Sequence, residues 1–344
     1  MKKGQVYEGI IESVEFPNKG RIYLPEEDRW VVVKNGVPGQ KVRFSVNKIR
    51  KGKAEGRLLE VLEPSASEIP SACPHFGQCG GCTYQNLPYE EQLAMKNEQV
   101  KKMMDEAVDG EYIWEGIKPS PVRTEYRNKM EFSFGDEYKD GPLALGMHKR
   151  GSFHDIVNVT DCQIVDEDYR KILACTLECA GESGLPYYHR MRHVGYFRHL
   201  LVRKAVKTGE ILVDLVTASD TAELGVDPAE AMKKIQTFKA AWLEKMTAMN
   251  FDGTLVGILH TKNDSLADVV KDEGTEVLFG QDYLRSHHSH SSRLIRWERK
   301  SCMRQPENTS EIRMKKLSSI CTAEQERSHR SLRRLRRKWL VWRL

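Results

Sequence analysis

Residues 73–85 read Cys73-Pro-His-Phe-Gly-Gln-Cys79-Gly-Gly-Cys82-Thr-Tyr-Gln85, and a single Cys162 follows far downstream. Four thiolates can hold an iron–sulfur cluster or a zinc ion. Gly80 and Gly81 leave space for a bulky inorganic group beside the backbone, because glycine has no Cβ. Zinc ribbons more often carry two short Cys-x2-Cys knuckles, whereas here three cysteines cluster and the fourth is distant. The pattern favours iron–sulfur; zinc and unligated core thiols are the other two interpretations.

The cysteine segment resembles the RNA uracil-C5 methyltransferase family. So do Tyr89-x2-Gln92-x3-Lys96, Tyr126-Arg127-Asn128-Lys129 and the segment around Cys162. The resemblance runs from the N-terminus to about residue 283. It implies S-adenosylmethionine-dependent methylation of C5 of uracil in RNA, with ribosomal RNA favoured over transfer RNA. It also implies a [4Fe–4S] cluster whose ligands are Cys73, Cys79, Cys82 and Cys162.

The chain divides into segments that predict a mixed α/β fold. Residues 1–63 contain five β-rich runs (6–14, 21–24, 30–33, 40–49, 57–62) separated by turn signals, which predict an OB-like barrel and match the family's TRAM module. Residues 64–88 form a linker and the cysteine loop. Residues 89–118 contain a helix that, in the family, packs on the catalytic domain.

Residues 119–283 predict a β-rich α+β domain. Its strand-like runs are 129–134, 143–148, 199–205, 211–217 and 255–260. Helical patterns cover 169–180 and 229–249, and the second begins with Asp227 as N-cap and Pro228 at the first helical position. By the resemblance, this domain surrounds the cluster and binds folded RNA.

Residues 284–344 differ in composition from the rest of the chain. From residue 285 onward there are 17 Lys and Arg against five Glu and no Asp, a net charge of +12 in a 344-residue chain of net charge +5. None of the 25 glycines lies there, although a folded domain of that length normally contains turn glycines. The sequence therefore predicts an out-of-frame, disordered tail where the family has its Rossmann-like methyltransferase domain. A genuine basic extension is the alternative.

Methylation of C5 of a pyrimidine needs a cysteine nucleophile, a general base and a methyl-donor site. In the family all three lie in the C-terminal domain, and no Gly-rich turn follows residue 283 here. Cys302 lies in Ser301-Cys-Met-Arg304, which departs from the family's Ser-Cys-Asn-Pro. The sequence assigns no catalytic and no donor-binding residue and predicts an inactive chain. A non-catalytic RNA-binding iron–sulfur protein is the alternative function, and an iron–sulfur redox enzyme is the third.

Two segments are candidate RNA contacts, and a solvated surface is the alternative for both. Residues 41–57 carry seven cations against the single acid Glu55, which suggests a phosphate-contacting face. Residues 126–129 offer an aromatic ring for base stacking and cations for phosphate. The candidate residues are Lys48, Arg50, Lys51, Tyr126, Arg127 and Lys129.

The bulk composition narrows the class of protein. The chain is 40% hydrophobic and 30% charged, no apolar run approaches the length of a membrane span, and the N-terminus has no apolar signal core. A thiolate-held cluster also needs a reducing compartment. We therefore expect a cytoplasmic, monomeric protein whose partner is RNA rather than DNA or a membrane.

Overall fold

The computed structural model describes residues 1–50, 52–152, 154–219, 227–266, 270 and 273–285, and the backbone of Leu294–Arg296. The chain forms two compact units. Unit 1 contains Met1–Ala72 and Cys82–Pro121; unit 2 contains Cys73–Gly81 and the described residues from Val122 on. The first part of the cysteine loop thus folds with unit 2, although its neighbours in sequence belong to unit 1.

Unit 1 is built on a six-stranded sheet with the order β1-β5-β6-β4-β3-β2. The strands are β1 (Val6–Ile10), β2 (Ser13–Glu15), β3 (Lys19–Leu24), β4 (Arg29–Lys34), β5 (Lys41–Arg50) and β6 (Lys53–Glu63). All five predicted runs are confirmed as strands, but the first is broken in two. At the break, the Ile11 amide donates to Gln40 O and the Glu12 amide donates to Arg21 O, both at 2.9 Å. Because the chain bends here, β1 pairs with β5 whereas β2 pairs with β3.

Side chains alternate between the two faces of these strands, so every second side chain points into one apolar core. The largest members of this core are Ile11, Ile22, Leu24, Val31, Val42 and Phe44. Gly9 of β1 faces β3 so closely that a Cβ there would lie 2.4 Å from Ile22 Cγ2. The sheet therefore curves around its core, which supports the predicted OB-like barrel, although its closure stays a prediction.

The predicted helix at the start of segment 89–118 is confirmed as α1 (Tyr89–Ala107). None of its residues is buried. Met95 contacts the core of the sheet, and Gln99 Nε2 donates to Val14 O at 2.7 Å. On the return segment, Trp114 Nε1 donates to Asn97 Oδ1 at 3.1 Å. Helix α1 is thus attached to unit 1 at a few positions and stays at least partly exposed along its length.

Unit 2 contains a seven-stranded sheet with the order β13-β12-β11-β10-β7-β8-β9. Its strands are β7 (Lys129–Asp136), β8 (Leu143–His148), β9 (Ile156–Asn158), β10 (Phe197–Lys204), β11 (Glu210–Thr217), β12 (Thr254–Lys262) and β13 (Thr275–Gly280). Every strand predicted in this region is confirmed. Strands β11 and β12 run parallel, and the helix between them makes the long crossover that a parallel pair requires.

Two helices form the second layer of unit 2. They are α2 (Glu167–Ser183), which extends the predicted helix at both ends, and α3 (Pro228–Ala248), which lies one residue before the predicted 229–249. Asp227 caps α3 as predicted, because its Oδ1 accepts from the Ala229 amide at 2.9 Å. The fully buried Trp242 donates to Thr176 Oγ1 at 2.9 Å and joins the two helices. Within the described ranges, no helix is long and apolar enough to cross a membrane.

Ordered packing in unit 2 includes the first residues of the predicted tail. Leu284 is buried against Leu212 and Leu259, and Arg285 Nε donates to Glu210 Oε1 at 2.6 Å. Strand β14 (Tyr283–Arg285) pairs with the backbone of β15 (Leu294–Arg296). The remainder of 284–344, including Cys302, lies outside the described residues. The predictions of a disordered tail and of a missing Rossmann-like domain concern these residues and are therefore not tested.

Candidate functional site

The first part of the cysteine loop is fastened to the end of β8. The Arg150 amide donates to Gln78 O at 2.6 Å, and the Gly80 amide donates to His148 O at 2.9 Å. A Cβ on Gly80 would lie 3.0 Å from that His148 carbonyl oxygen, so glycine permits this close approach. The Gly81 amide donates to Cys79 Sγ at 3.3 Å. Gly80 thus permits the close backbone contact, and the amide of Gly81 makes the N–H···S bond.

Cys162 reaches the same unit from the turn that precedes α2. Its amide donates to Val159 O at 3.1 Å, and Arg170 of α2 donates to its carbonyl oxygen at 3.1 Å. The amides of Ile164 and Val165 hydrogen-bond to the thiol and lower its pKa against the dominant effect of burial, which raises it. Cys162 is 9% exposed, so helix α2 and the preceding turn shield it from solvent.

Three thiols of unit 2 lie within range of one another's charge. Burial raises the pKa of Cys79, and the thiols of Cys162 and Cys73 raise it further. Burial likewise raises the pKa of Cys162, with a further contribution from Cys73. Unit 2 thus contains Cys73, Cys79 and Cys162, which lie up to 89 residues apart in sequence.

The donor chemistry is that of a soft-metal or iron–sulfur site, since the group consists of thiols that accept N–H···S bonds. Cys82 belongs to unit 1, where Gln85 Nε2 donates to its sulfur at 3.2 Å. Among the residues that the structure describes, no three His, Cys, Asp or Glu side chains stand in an arrangement that could hold a metal ion. The four-cysteine ligand set therefore stays a prediction.

The candidate RNA-binding residues of unit 2 lie beside the Cys162 turn. The Arg127 amide donates to Ile164 O at 2.8 Å, which places residues 126–129 alongside the chain that follows Cys162. Tyr126 is 49% exposed and presents its ring to solvent. Arg127 Nε donates to Lys129 O at 3.1 Å, so part of its guanidinium is engaged by its own segment. Lys129 is exposed at the start of β7.

The cation density of residues 41–57 is partly neutralised by acids from neighbouring strands. Lys41 pairs with Glu63 at 2.8 Å, and Lys48 pairs with Glu55 at 3.7 Å. Arg43 forms two ion pairs, with Glu8 of β1 at 2.9 Å and with Glu60 of β6 at 2.7 Å. A count along residues 41–57 includes Glu55 but misses Glu8, Glu60 and Glu63, because these face the cations only through strand pairing. The phosphate-contacting face stays a prediction, with less uncompensated charge than the count gives.

Two cations lie at the end of the β5–β6 hairpin. Arg50 is opposite Lys53 in the strand register, and both side chains are exposed. Within the described residues the structure records no ion pair for either. Lys51, which connects them in sequence, lies outside the described residues.

An aromatic cluster on the outward face of β3 and β4 was not singled out by the sequence. Tyr23 and Trp30 are opposite each other, with ring centroids 5.3 Å apart. The Arg21 guanidinium carbon lies 4.7 Å from the Trp30 ring centroid, and Trp30 remains 40% exposed. Alternation along the strands could have found this cluster, since 21, 23 and 30 are the outward positions of a pair whose alternate residues are core.

The chain is similar in sequence to known proteins over 83% of its length. The first of these alignments covers 285 residues. Over that length the chain is 45% identical to a protein of Clostridium tetani described as an uncharacterized RNA methyltransferase, covering 83% of this chain and 59% of that protein. A protein of the same description from Caldanaerobacter subterraneus subsp. tengcongensis is 43% identical over 284 residues, with the same coverage. The chain is a homologue of proteins named RNA methyltransferases. It spans 59% of the length of these relatives.

A solved structure has a similar fold. The tRNA (uracil-54, C5)-methyltransferase of Pyrococcus abyssi, in complex with S-adenosyl-L-homocysteine, aligns over 84% of this chain and 59% of its own length. The TM-score is 0.55 and the sequence identity is 21%, so the likeness concerns the fold alone. No protein-family model matches the chain.

Proposed function

We propose that this chain carries the RNA-recognition part of an S-adenosylmethionine-dependent RNA methyltransferase that acts on C5 of uracil. The observation that carries the proposal is the 45% identity over 285 residues to a protein named RNA methyltransferase. The fold likeness to a tRNA uracil-C5 methyltransferase supports uracil C5 as the methylated position. Ribosomal RNA is the substrate that the sequence resemblance favours, whereas the solved structure of similar fold is named for transfer RNA.

RNA would meet two kinds of surface on unit 1. The Tyr23–Trp30 pair, with Arg21 above the ring, has the composition of a stacking platform for unpaired bases. The exposed cations at the hairpin end, Arg50 and Lys53, attract phosphate. Stacking and phosphate contacts together are the usual means by which proteins hold single-stranded RNA without reading its sequence.

In unit 2 the thiols of Cys73, Cys79 and Cys162 would hold the [4Fe–4S] cluster that the sequence resemblance implies. When bound, the cluster would supply a rigid covalent link between the cysteine loop and the turn before α2. The chain's own contribution is the N–H···S bonds to Cys79 and Cys162, which stabilise thiolate over thiol.

The test uses the full chain, purified without oxygen, and fluorescence anisotropy with three labelled probes. The probes are a uridine-containing fragment of 23S ribosomal RNA, a transfer RNA, and a DNA of the same sequence as the first. We expect binding of RNA over DNA, and tighter binding of the ribosomal fragment. Equal affinity for DNA, or no RNA binding, would contradict the proposal.

A second measurement separates methyl transfer from RNA binding. Labelled S-adenosylmethionine is incubated with the chain and the RNA, and methylated uracil is quantified in the digested RNA. The prediction from the sequence is that RNA binds and no methyl group is transferred. Donor binding would favour the methyltransferase assignment over the alternative, a non-catalytic RNA-binding iron–sulfur protein, which would not bind the donor. Transfer that is lost in Cys302→Ala would overturn the predicted inactivity.

A further inference from the structure

The outward face of β3 and β4 changes from aromatic to cationic side chains along the strands. Every second residue of both strands is buried, so the side chains between them share one outward face. Three cross-strand pairs follow one another on this face: Tyr23 with Trp30, Arg21 with Val32, and Lys19 with Lys34. The face therefore has an aromatic end and a cationic end.

Strand β6 adds a third cation to the cationic end. It runs parallel to β4, and Gly56 is paired with Val33. Arg57 follows Gly56 as Lys34 follows Val33, so both side chains leave the sheet on the same face, and both are exposed. Lys19, Lys34 and Arg57 thus form a row across three neighbouring strands, which lie about 4.8 Å apart. We call these three residues the cation row.

The acids beside the cation row are paired with other cations. Glu15 is opposite the β3 member of the row, but its carboxylate lies 3.1 Å from Arg21 and 3.7 Å from Lys102. Glu55 of β6 lies 3.7 Å from Lys48. In the part of the chain that the structure describes, no ion pair is recorded for any member of the row. Like charges directly opposite each other destabilise a sheet, so a bound anion would relieve the repulsion between the two lysines.

The aromatic and cationic ends are too far apart to meet the same nucleotide. Trp30 and Lys34 are four residues apart on one extended strand, which corresponds to about 13 Å. Side chains on a strand stand roughly perpendicular to the sheet, so their ends keep this separation. A base on the Trp30 ring and a phosphate at the cation row therefore belong to different nucleotides of one strand.

We propose that unit 1 holds an unpaired RNA strand along this face, with one base stacked on Trp30 and the phosphate of a neighbouring nucleotide on the cation row. The inference rests on the proposed RNA-binding function and adds to it the path of the strand across the sheet. Every base has a face that can stack, and the cations contact only the backbone. The ligand class is accordingly single-stranded RNA without a required sequence.

The test of the cation row compares two lysine variants of the full chain. Lys34→Ala removes a member of the row, and Lys3→Ala removes an exposed lysine of the same unit that lies outside it. Anisotropy measures the affinity for a labelled oligouridylate of about ten nucleotides, within the usual site size of OB folds, over a series of KCl concentrations. We expect Lys34→Ala to weaken binding about five- to tenfold and to lower the salt slope by about 0.7. Lys3→Ala should leave both near the wild-type values, and Lys34→Arg, which keeps the charge, should restore the slope.

Tryptophan fluorescence tests the stacked base separately. Bound oligouridylate should quench part of the fluorescence of the wild-type chain. Trp30→Phe keeps the other five tryptophans and an aromatic ring at position 30, so it should abolish this quenching and retain most of the affinity. An RNA duplex of the same length offers no unpaired base and should bind without quenching.

The outcomes separate the strand path from the proposed function. Far-UV circular dichroism first checks that each variant is folded. If the wild-type chain binds the oligouridylate but Lys34→Ala matches Lys3→Ala in affinity and slope, or if quenching persists in Trp30→Phe, the strand path is overturned alone. Binding of the 23S ribosomal RNA fragment without binding of the oligouridylate has the same meaning. A wild-type chain that binds neither RNA overturns the proposed function together with the path.

Discussion

Asp168 at the start of α2 is the centre of the buried ion pair in unit 2, and its removal is the sharpest test of how this unit is held together. The side chain is fully buried. It accepts from Lys204 Nζ at 2.6 Å, from the Asp252 amide at 2.8 Å and from the Gly253 amide at 2.9 Å. One carboxylate thereby joins α2 to the end of β10 and to the loop before β12. The substitution to test is Asp168→Ala.

The expected loss of unfolding free energy follows from the groups that Asp168→Ala leaves without their carboxylate partner. Removing one partner of a buried ion pair typically costs about 3–5 kcal/mol, because the other charge stays buried. Lys204 keeps a second partner, Asp166 at 2.7 Å, which lowers that part of the cost. The amides of Asp252 and Gly253 lose their acceptor, at about 1 kcal/mol each. We expect unfolding free energy to fall by about 3–4 kcal/mol in total.

Urea unfolding followed by far-UV circular dichroism measures this loss. With a slope of about 2–3 kcal/mol per molar urea, the midpoint should fall by about 1–2 M. The matched control is Glu178→Ala on the same helix, whose carboxylate is 60% exposed and pairs with Lys245 at 3.1 Å. Such exposed pairs contribute little, so the control midpoint should stay near the wild-type value. Equal midpoints for the two variants would refute the reasoning.

The pH dependence has a definite sign. Burial alone would raise the pKa of Asp168, but Lys204 and the amides of Gly253 and Asp252 outweigh it and lower that pKa below 3.8. A carboxyl with a lowered folded-state pKa stabilises the protein above the ordinary value and loses that contribution as the pH falls. The stability difference between wild type and Asp168→Ala should therefore be constant near neutral pH and shrink below about pH 4.

Three further predictions concern the proposed cluster and the RNA surfaces. Protein purified without oxygen should be brown, with about four irons per chain. Cys162→Ser should lower the iron content in a colorimetric assay, whereas substitution of another buried cysteine, Cys175→Ser, should leave it unchanged. Equal iron content in the two variants would remove Cys162 from the ligand set. Simultaneous substitution of Lys48, Arg50 and Lys51 by Ala should lower the salt slope of RNA binding by about 0.7 per lost contact. Substitution of Lys41 and Arg43 by Ala should lower it less, because these two cations pair with acids of neighbouring strands. An unchanged slope in the triple variant would place the phosphate contacts elsewhere. Trp30→Ala should weaken binding of single-stranded RNA by about 1–3 kcal/mol if one base stacks there, and Trp30→Phe should keep most of the affinity; equal affinities for the two variants would exclude stacking on this ring.

Local patterns in the sequence were sufficient to predict most of the elements. Period-two alternation between turn residues located every predicted strand, and Asp227 followed by Pro228 located the start of α3. These features are local, because a strand's inward positions and a helix's first turn depend on residues close along the chain. Strands β9 and β13 were not predicted, and neither was the break in the first β-run, through which β1 and β2 pair with different strands.

The surface charge of unit 1 required the tertiary structure. The acids that neutralise Arg43 come from positions 8 and 60, and strand register alone brings them within 3 Å. The same holds in unit 2, where Arg190 Nη2 lies 3.1 Å from His148 Nε2 across 42 residues of sequence. Electrostatic interaction depends on distance in space, and composition along a window does not report that distance.

The sequence by itself determined which cysteines are candidates for a common site, and it predicts that Cys162 joins the loop of residues 73–82. Only the tertiary structure showed that Cys73, Cys79 and Cys162 belong to one unit, that the Gly81 amide donates to Cys79 Sγ, and that glycine at position 80 suits the close approach of His148 O. The physical reason is that ligand type is encoded in the side chain, whereas burial and N–H···S bonds arise from backbone segments that meet only after folding.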